Sequence, residues 1–119
     1  MLLQELEVWY IIPALRRALA LEMQKRGLKA VEIAQRLGLT KAAVSQYFSK
    51  TRAVEFRFDL KMQREVGQAV DSILAGEHAN HELQRLLLLL RENRAVCTFH
   101  RLQEKNIDKQ CNICFQDLQ

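Results

Sequence analysis

Apolar residues recur every three or four positions along most of the chain, the spacing of helices that bury one face. Residues 2–10 set Leu3, Leu6 and Tyr10 on one side and predict a short first helix. Pro13 has no amide hydrogen and suits a first helical turn, so a second helix is expected to begin there and to stop at Gly27, after Lys25 and Arg26. Two short helices follow at about 30–37 and 41–49, separated by Gly38-Leu39-Thr40. Residues 53–58 alternate apolar and charged side chains, as a short exposed strand or an extended arm would. Asp59 can cap a helix running to about Ala75, closed by Gly76. After a polar link, Asn80 can cap a last long helix to about Arg94. The fold class expected is all-α, ending in a short appendage.

Composition narrows this picture. A chain of 119 residues that is 49% hydrophobic has enough apolar surface for one domain, with a core burying roughly two-thirds of the unfolded chain's surface. The apolar run Leu86 to Leu90 is bracketed by Arg85 and Arg91, too short to span a bilayer. Glu5 and Glu7 stand where a signal peptide needs positive charge. A cytoplasmic protein with no membrane partner is expected.

The net charge of +4 conceals a gradient. Residues 25–64 hold ten Lys or Arg against three acids, a local +7, while the other 79 residues come to −3. A basic block on a mildly acidic chain points to a polyanion, and a solvated surface is the plain alternative.

The motif inside the block gives the block a role. Two helices meeting steeply need a small residue at their approach, which Ala34 supplies, and a turn residue suited to positive φ, which Gly38 supplies. Ile33, Leu37, Leu39, Val44 and Tyr47 are spaced to fill the wedge between them, and Thr40 can cap the second helix. Thr40, Lys41, Ala42, Ser45, Gln46 and Ser49 are left facing outward. They are small or hydrogen-bonding, as a helix entering a major groove requires. Gln46 can pair with an adenine edge, Ala42 can meet a thymine methyl, and Lys41 can reach a guanine or a phosphate. Arg36, Lys50 and Arg52 are candidate phosphate anchors.

With Ile33-Ala34, Leu37-Gly38, Thr40 and Ala43-Val44-Ser45-Gln46-Tyr47, this stretch resembles the helix-turn-helix of the Xre family, the lambda-repressor/Cro-like regulators. The opening run from Trp9 to Arg16 is similar to the start of short archaeal Xre-type regulators. The resemblance covers roughly residues 10–75. It implies a lambda-repressor-like, five-helix DNA-binding domain acting as a homodimer on double-stranded DNA with a palindromic operator. After Thr51 the pattern departs from that of compact repressors.

Three cysteines fall within the last 23 residues. Cys97 and His100, then Cys111 and Cys114, form two pairs with two residues between the members of each, a closed Cys₃His ligand set. Zinc is the first choice of ion and an iron–sulfur cluster a close second, with free thiols as the plain reading. His78 and His81 read as surface residues. The expected organisation is a helix-turn-helix domain over 1–76, a long helix over 77–95 and a metal-binding module over 96–119. The leucine-rich helix either pairs two copies or packs within its own chain. No paired carboxylates, Ser/His/Asp set or phosphate loop is present, so neither catalysis nor a small-molecule substrate is expected. The rival function is a non-catalytic adaptor that binds a protein through the leucine-rich helix.

Overall fold

Pro13 cannot donate a backbone hydrogen bond, and its ring crowds the carbonyl four residues earlier. In the computed structural model, which describes residues 2–49, 57–93 and 95, the chain passes this point without breaking. Helix α1 (Leu3–Leu6) widens into a π-helical turn (Glu7–Ile11) that leads directly into α2 (Ile12–Lys25). The Ile12 amide reaches back five residues to the Glu7 carbonyl, and Pro13 lies in the first turn of α2. The two separate helices expected from the sequence are therefore one continuous rod. A single wide turn changes the hydrogen-bond register, so the missing donor does not end the helix.

The remaining elements are α3 (Ala30–Leu37), α4 (Lys41–Phe48), α5 (Leu60–Leu74) and α6 (Ala79–Glu92). All regular structure among the described residues is helical. Gly27, Gly38 and Gly76 fall just beyond α2, α3 and α5. Asp59 caps α5, its Oδ1 accepting the Met62 amide at 2.8 Å. The start of α6 differs from expectation: His78, not Asn80, is its cap. His78 Nδ1 accepts the Asn80 amide at 3.2 Å, because the chain enters the helix two residues earlier and an imidazole nitrogen serves as acceptor.

Helix α2 is the hub. Its stripe of Leu15, Leu19 and Met23, extended backward by Ile11 and Leu6, is fully shielded from water. Each such side chain contributes about 1.5–3 kcal/mol. Around this stripe pack α3, α4, α5 and α6. Helix α5 contributes Met62, Val66, Ala69, Val70 and Ile73 to the core; Met62, Val66, Ala69 and Ile73 follow spacings of four, three and four, and Val70 widens the stripe.

The leucine-rich helix packs within its own chain. Leu83, Leu86, Leu87 and Leu90 of α6 are buried against α2, α3 and α5, and in the run 86–90 only Leu88 is mostly exposed. The five leucines look apolar all round in sequence, but their angular positions divide them between the core and the edge. No helix among the described residues is long and apolar enough to cross a membrane.

Three arginines fasten the periphery. Arg91 near the end of α6 donates from Nε and Nη2 to the two carboxylate oxygens of Glu7, at 2.8 and 2.6 Å, and the Glu7 side chain is only 4% exposed. Arg85 joins α6 to α5 through Glu65 at 2.7 Å and also holds Glu82 at 3.2 Å. Arg26 at the end of α2 binds Glu22, Asp71 and the Gly67 carbonyl of α5. The bonds to Glu7, Glu65 and Asp71 respectively raise the pKa of Arg91, Arg85 and Arg26 above the ordinary arginine value.

Candidate nucleic-acid interface

The α3–α4 unit is set by a turn that requires a glycine. Gly38 has φ +66°, and the Leu39 amide donates to the Ala34 carbonyl at 2.9 Å, the wrap that closes a helix end through a left-handed residue. A Cβ at Gly38 would meet no atom within 4 Å, so the requirement comes from the backbone and not from crowding. Two residues on, Thr40 opens α4. Its Oγ1 accepts the Ala43 amide at 3.1 Å, as its position in the sequence predicts.

The wedge between the helices is filled by the predicted residues. Ile33, Leu37, Val44 and Tyr47 are buried, and Leu39 packs beside them half-buried. With Val44 and Tyr47 turned inward, Thr40, Lys41, Ala42, Ser45, Gln46 and Ser49 are all exposed. The outward face of α4 thus lacks any large aliphatic side chain. Ser49 Oγ donates to the Gln46 carbonyl at 3.1 Å and so helps close the end of the helix.

The first turn of α4, like that of α5, carries a lysine and no acid. Lys41 occupies the first position of α4. A cation there opposes the helix dipole at a cost of about 0.3–1 kcal/mol. At the other end, Arg17 Nε of α2 donates to the Tyr47 carbonyl at 3.2 Å. That bond satisfies a terminal carbonyl, complements the dipole and fixes the tilt of α4 against the hub. Arg17 went unrecognised in the sequence. Its only signal there is a basic pair, Arg16-Arg17, on the helix that precedes the motif.

The basic block resolves into charges already paired and charges still available. Arg26 is held by Glu22 and Asp71. Arg36 is exposed, but its Nη1 donates to the Ile73 carbonyl at the end of α5, at 3.3 Å, which aims it towards the α5–α6 connection. Lys25, Lys29, Lys41, Arg57, Lys61 and Arg64 are exposed and make no ion pair among the described residues. The other two anchors, Lys50 and Arg52, lie outside the described residues. So do Cys97, His100, Cys111 and Cys114. Among the described residues, no group of three or more His, Cys, Asp or Glu side chains is arranged to hold a metal ion.

A cleft of about 430 Å³ adjoins the α3–α4 turn, bounded by Arg16, the end of α3 and the α5–α6 connection. His78, which lines it, and His81 are both exposed, as the sequence suggests. His81 Nδ1 lies 2.8 Å from Glu77 Oε1, and that contact holds the Glu77 carboxyl below its ordinary pKa. No protein-family model matches this chain, and no curated protein or solved structure matches it either.

Proposed function

We propose that the protein is a sequence-specific DNA-binding transcriptional regulator that inserts α4 into the major groove. The observation that carries this reading is the division of α4 between its two sides. Val44 and Tyr47 are committed to the core, and the opposite side presents only Thr40, Lys41, Ala42, Ser45, Gln46 and Ser49. A helix of this kind can approach base edges closely and still offer donors and acceptors to them.

In this reading Gln46 and Lys41 contact bases, Ala42 meets a thymine methyl, and Lys50 and Arg52 bind phosphates in the flanks. The likeness to Xre-type regulators adds a homodimer on a palindromic operator. The buried leucines of α6 favour a pairing surface elsewhere, and Val8 and Trp9 offer exposed apolar area on the π-helical turn. The burial of these leucines also weighs against the adaptor reading, which needs them free. Cys97, His100, Cys111 and Cys114 are retained as a Cys₃His site for zinc or an iron–sulfur cluster. Visible absorption and metal analysis of protein purified without oxygen tell the two apart.

The test is selection of duplexes from a random-sequence pool, followed by titration of the winner from 50 to 200 mM salt. Log affinity is expected to fall linearly with log salt at roughly −0.9 per phosphate contacted. Gln46→Ala is expected to lose about 1–3 kcal/mol and to relax selectivity at one base pair, while Gln84→Ala on the exposed side of α6 behaves as the native chain. Absence of duplex binding at about 50 mM salt refutes the proposal.

A further inference from the structure

We propose that the cleft between the α3–α4 turn and the α5–α6 connection binds a small organic phosphate, gripped by Arg16 and Arg36. The cleft holds about 430 Å³, within the range of small-ligand sites, and both arginines line it. Arg16 is the unusual residue of the pair. Its Nε is shut off from solvent and has no hydrogen-bond acceptor among the described residues. That donor is closed to the cleft as well as to solvent, so Arg16 serves a ligand through the charge of its guanidinium and not through its Nε hydrogen. Arg16 also makes no ion pair with any described residue, unlike Arg26, Arg85 and Arg91, each of which is matched to a carboxylate.

Arg36 lines the cleft from the end of α3. Its Nη1 rests on the Ile73 carbonyl, which orients the guanidinium without neutralising it. Two planar guanidiniums with unspent charge match the several oxygens of a phosphate. The one acid in the lining, Glu77, is occupied by His81 Nδ1 and by the His78 amide, at 2.8 and 3.3 Å. Gln35 and Asn80 supply amide groups for the organic part of the molecule. The bound molecule is assigned the part of an effector because the cleft adjoins the turn that orients α4. Leu37 and Gly38 belong both to the cleft and to the turn that orients α4.

The experiment uses the full chain without DNA, so its failure leaves the proposed function standing. Thermal unfolding and amide NMR shifts are followed with inorganic phosphate, with ribose 5-phosphate and with ribose, at matched ionic strength in chloride. Both phosphates are expected to raise the unfolding temperature saturably and to shift the Gly38 and Gly76 amides, and ribose is expected to do neither. Arg16→Gln is expected to weaken binding at least about tenfold, and Arg64→Gln, on the exposed side of α5 and outside the cleft, to leave it unchanged. Arg36→Gln, an exposed substitution, replaces Arg16→Gln if the latter fails to fold. No response up to about 10 mM of either phosphate overturns the proposal, as does an equal response in the native chain and the variants.

Discussion

Replacing Arg91 with leucine strands the Glu7 carboxylate, whose side chain is 4% exposed, in the π-helical turn. In the native protein two short bonds, 2.6 and 2.8 Å, hold it. With the charge centres roughly 4 Å apart and an effective dielectric of about 20, their attraction is about 4 kcal/mol. Desolvation of the carboxylate offsets most of that gain, so the intact pair is close to neutral. Removing one partner is different, because the desolvation remains and the attraction is lost. Fully buried pairs lose about 3–5 kcal/mol in this way. Arg91 is 42% exposed, so water reaches the vacated side, and the expected loss is about 2–3 kcal/mol. For a chain of this size that lowers the unfolding temperature by roughly 8–12 °C. Urea denaturation followed by far-ultraviolet circular dichroism measures it. The double variant Glu7→Leu with Arg91→Leu, which removes both charges, is expected to return to within about 1 kcal/mol of the native chain. A single variant within about 0.5 kcal/mol of native refutes the reasoning, as does a double variant no more stable than the single.

Gly38→Val places a β-branched residue at φ +66° with no steric contact to relieve, and is expected to cost about 1–3 kcal/mol in denaturant titration, with Gly38→Asn costing less. Thr40→Ala removes the bond to the Ala43 amide and is expected to cost about 1 kcal/mol, whereas Thr40→Ser keeps nearly all the stability. Glu77 titrates below its ordinary value of 4.5 because of His81; its contribution to stability is therefore present above 4.5 and fades as pH falls through the lowered value. A carboxyl NMR titration is expected to place the Glu77 midpoint below 4.5 in the native chain and to move it back up in His81→Ala.

The α3–α4 turn and the capping of α4 are legible in the sequence because their rules are local. Gly38, Thr40 and the alternation of Val44 and Tyr47 with small polar residues act over spans of three to five positions, and each took the role its neighbours dictate. Asp59 as a cap is legible for the same reason. The sequence points to Asn80 as the cap of α6, whereas His78 takes that place: an imidazole nitrogen is also an acceptor, and only the path of the chain selects it. The π-helical turn was also missed. Pro13 announces a disturbance, but a break and a wider turn both satisfy its missing amide hydrogen, and continuity depends on the stripe from Leu6 to Met23 being buried as one surface.

By itself, then, the sequence determined the helical class, the turn at Gly38 and the outward face of α4, since periodicity and capping depend only on nearby residues. The tertiary structure decided what lies between distant residues. It covered Leu83, Leu86, Leu87 and Leu90 within one chain, joined Glu7 to Arg91 across 84 positions, tied Arg17 to the end of α4 and left Arg16 Nε without an acceptor among the described residues. None of these follows from spacing. Each depends on which faces the packed helices turn towards one another, a relation fixed only when the core closes around α2.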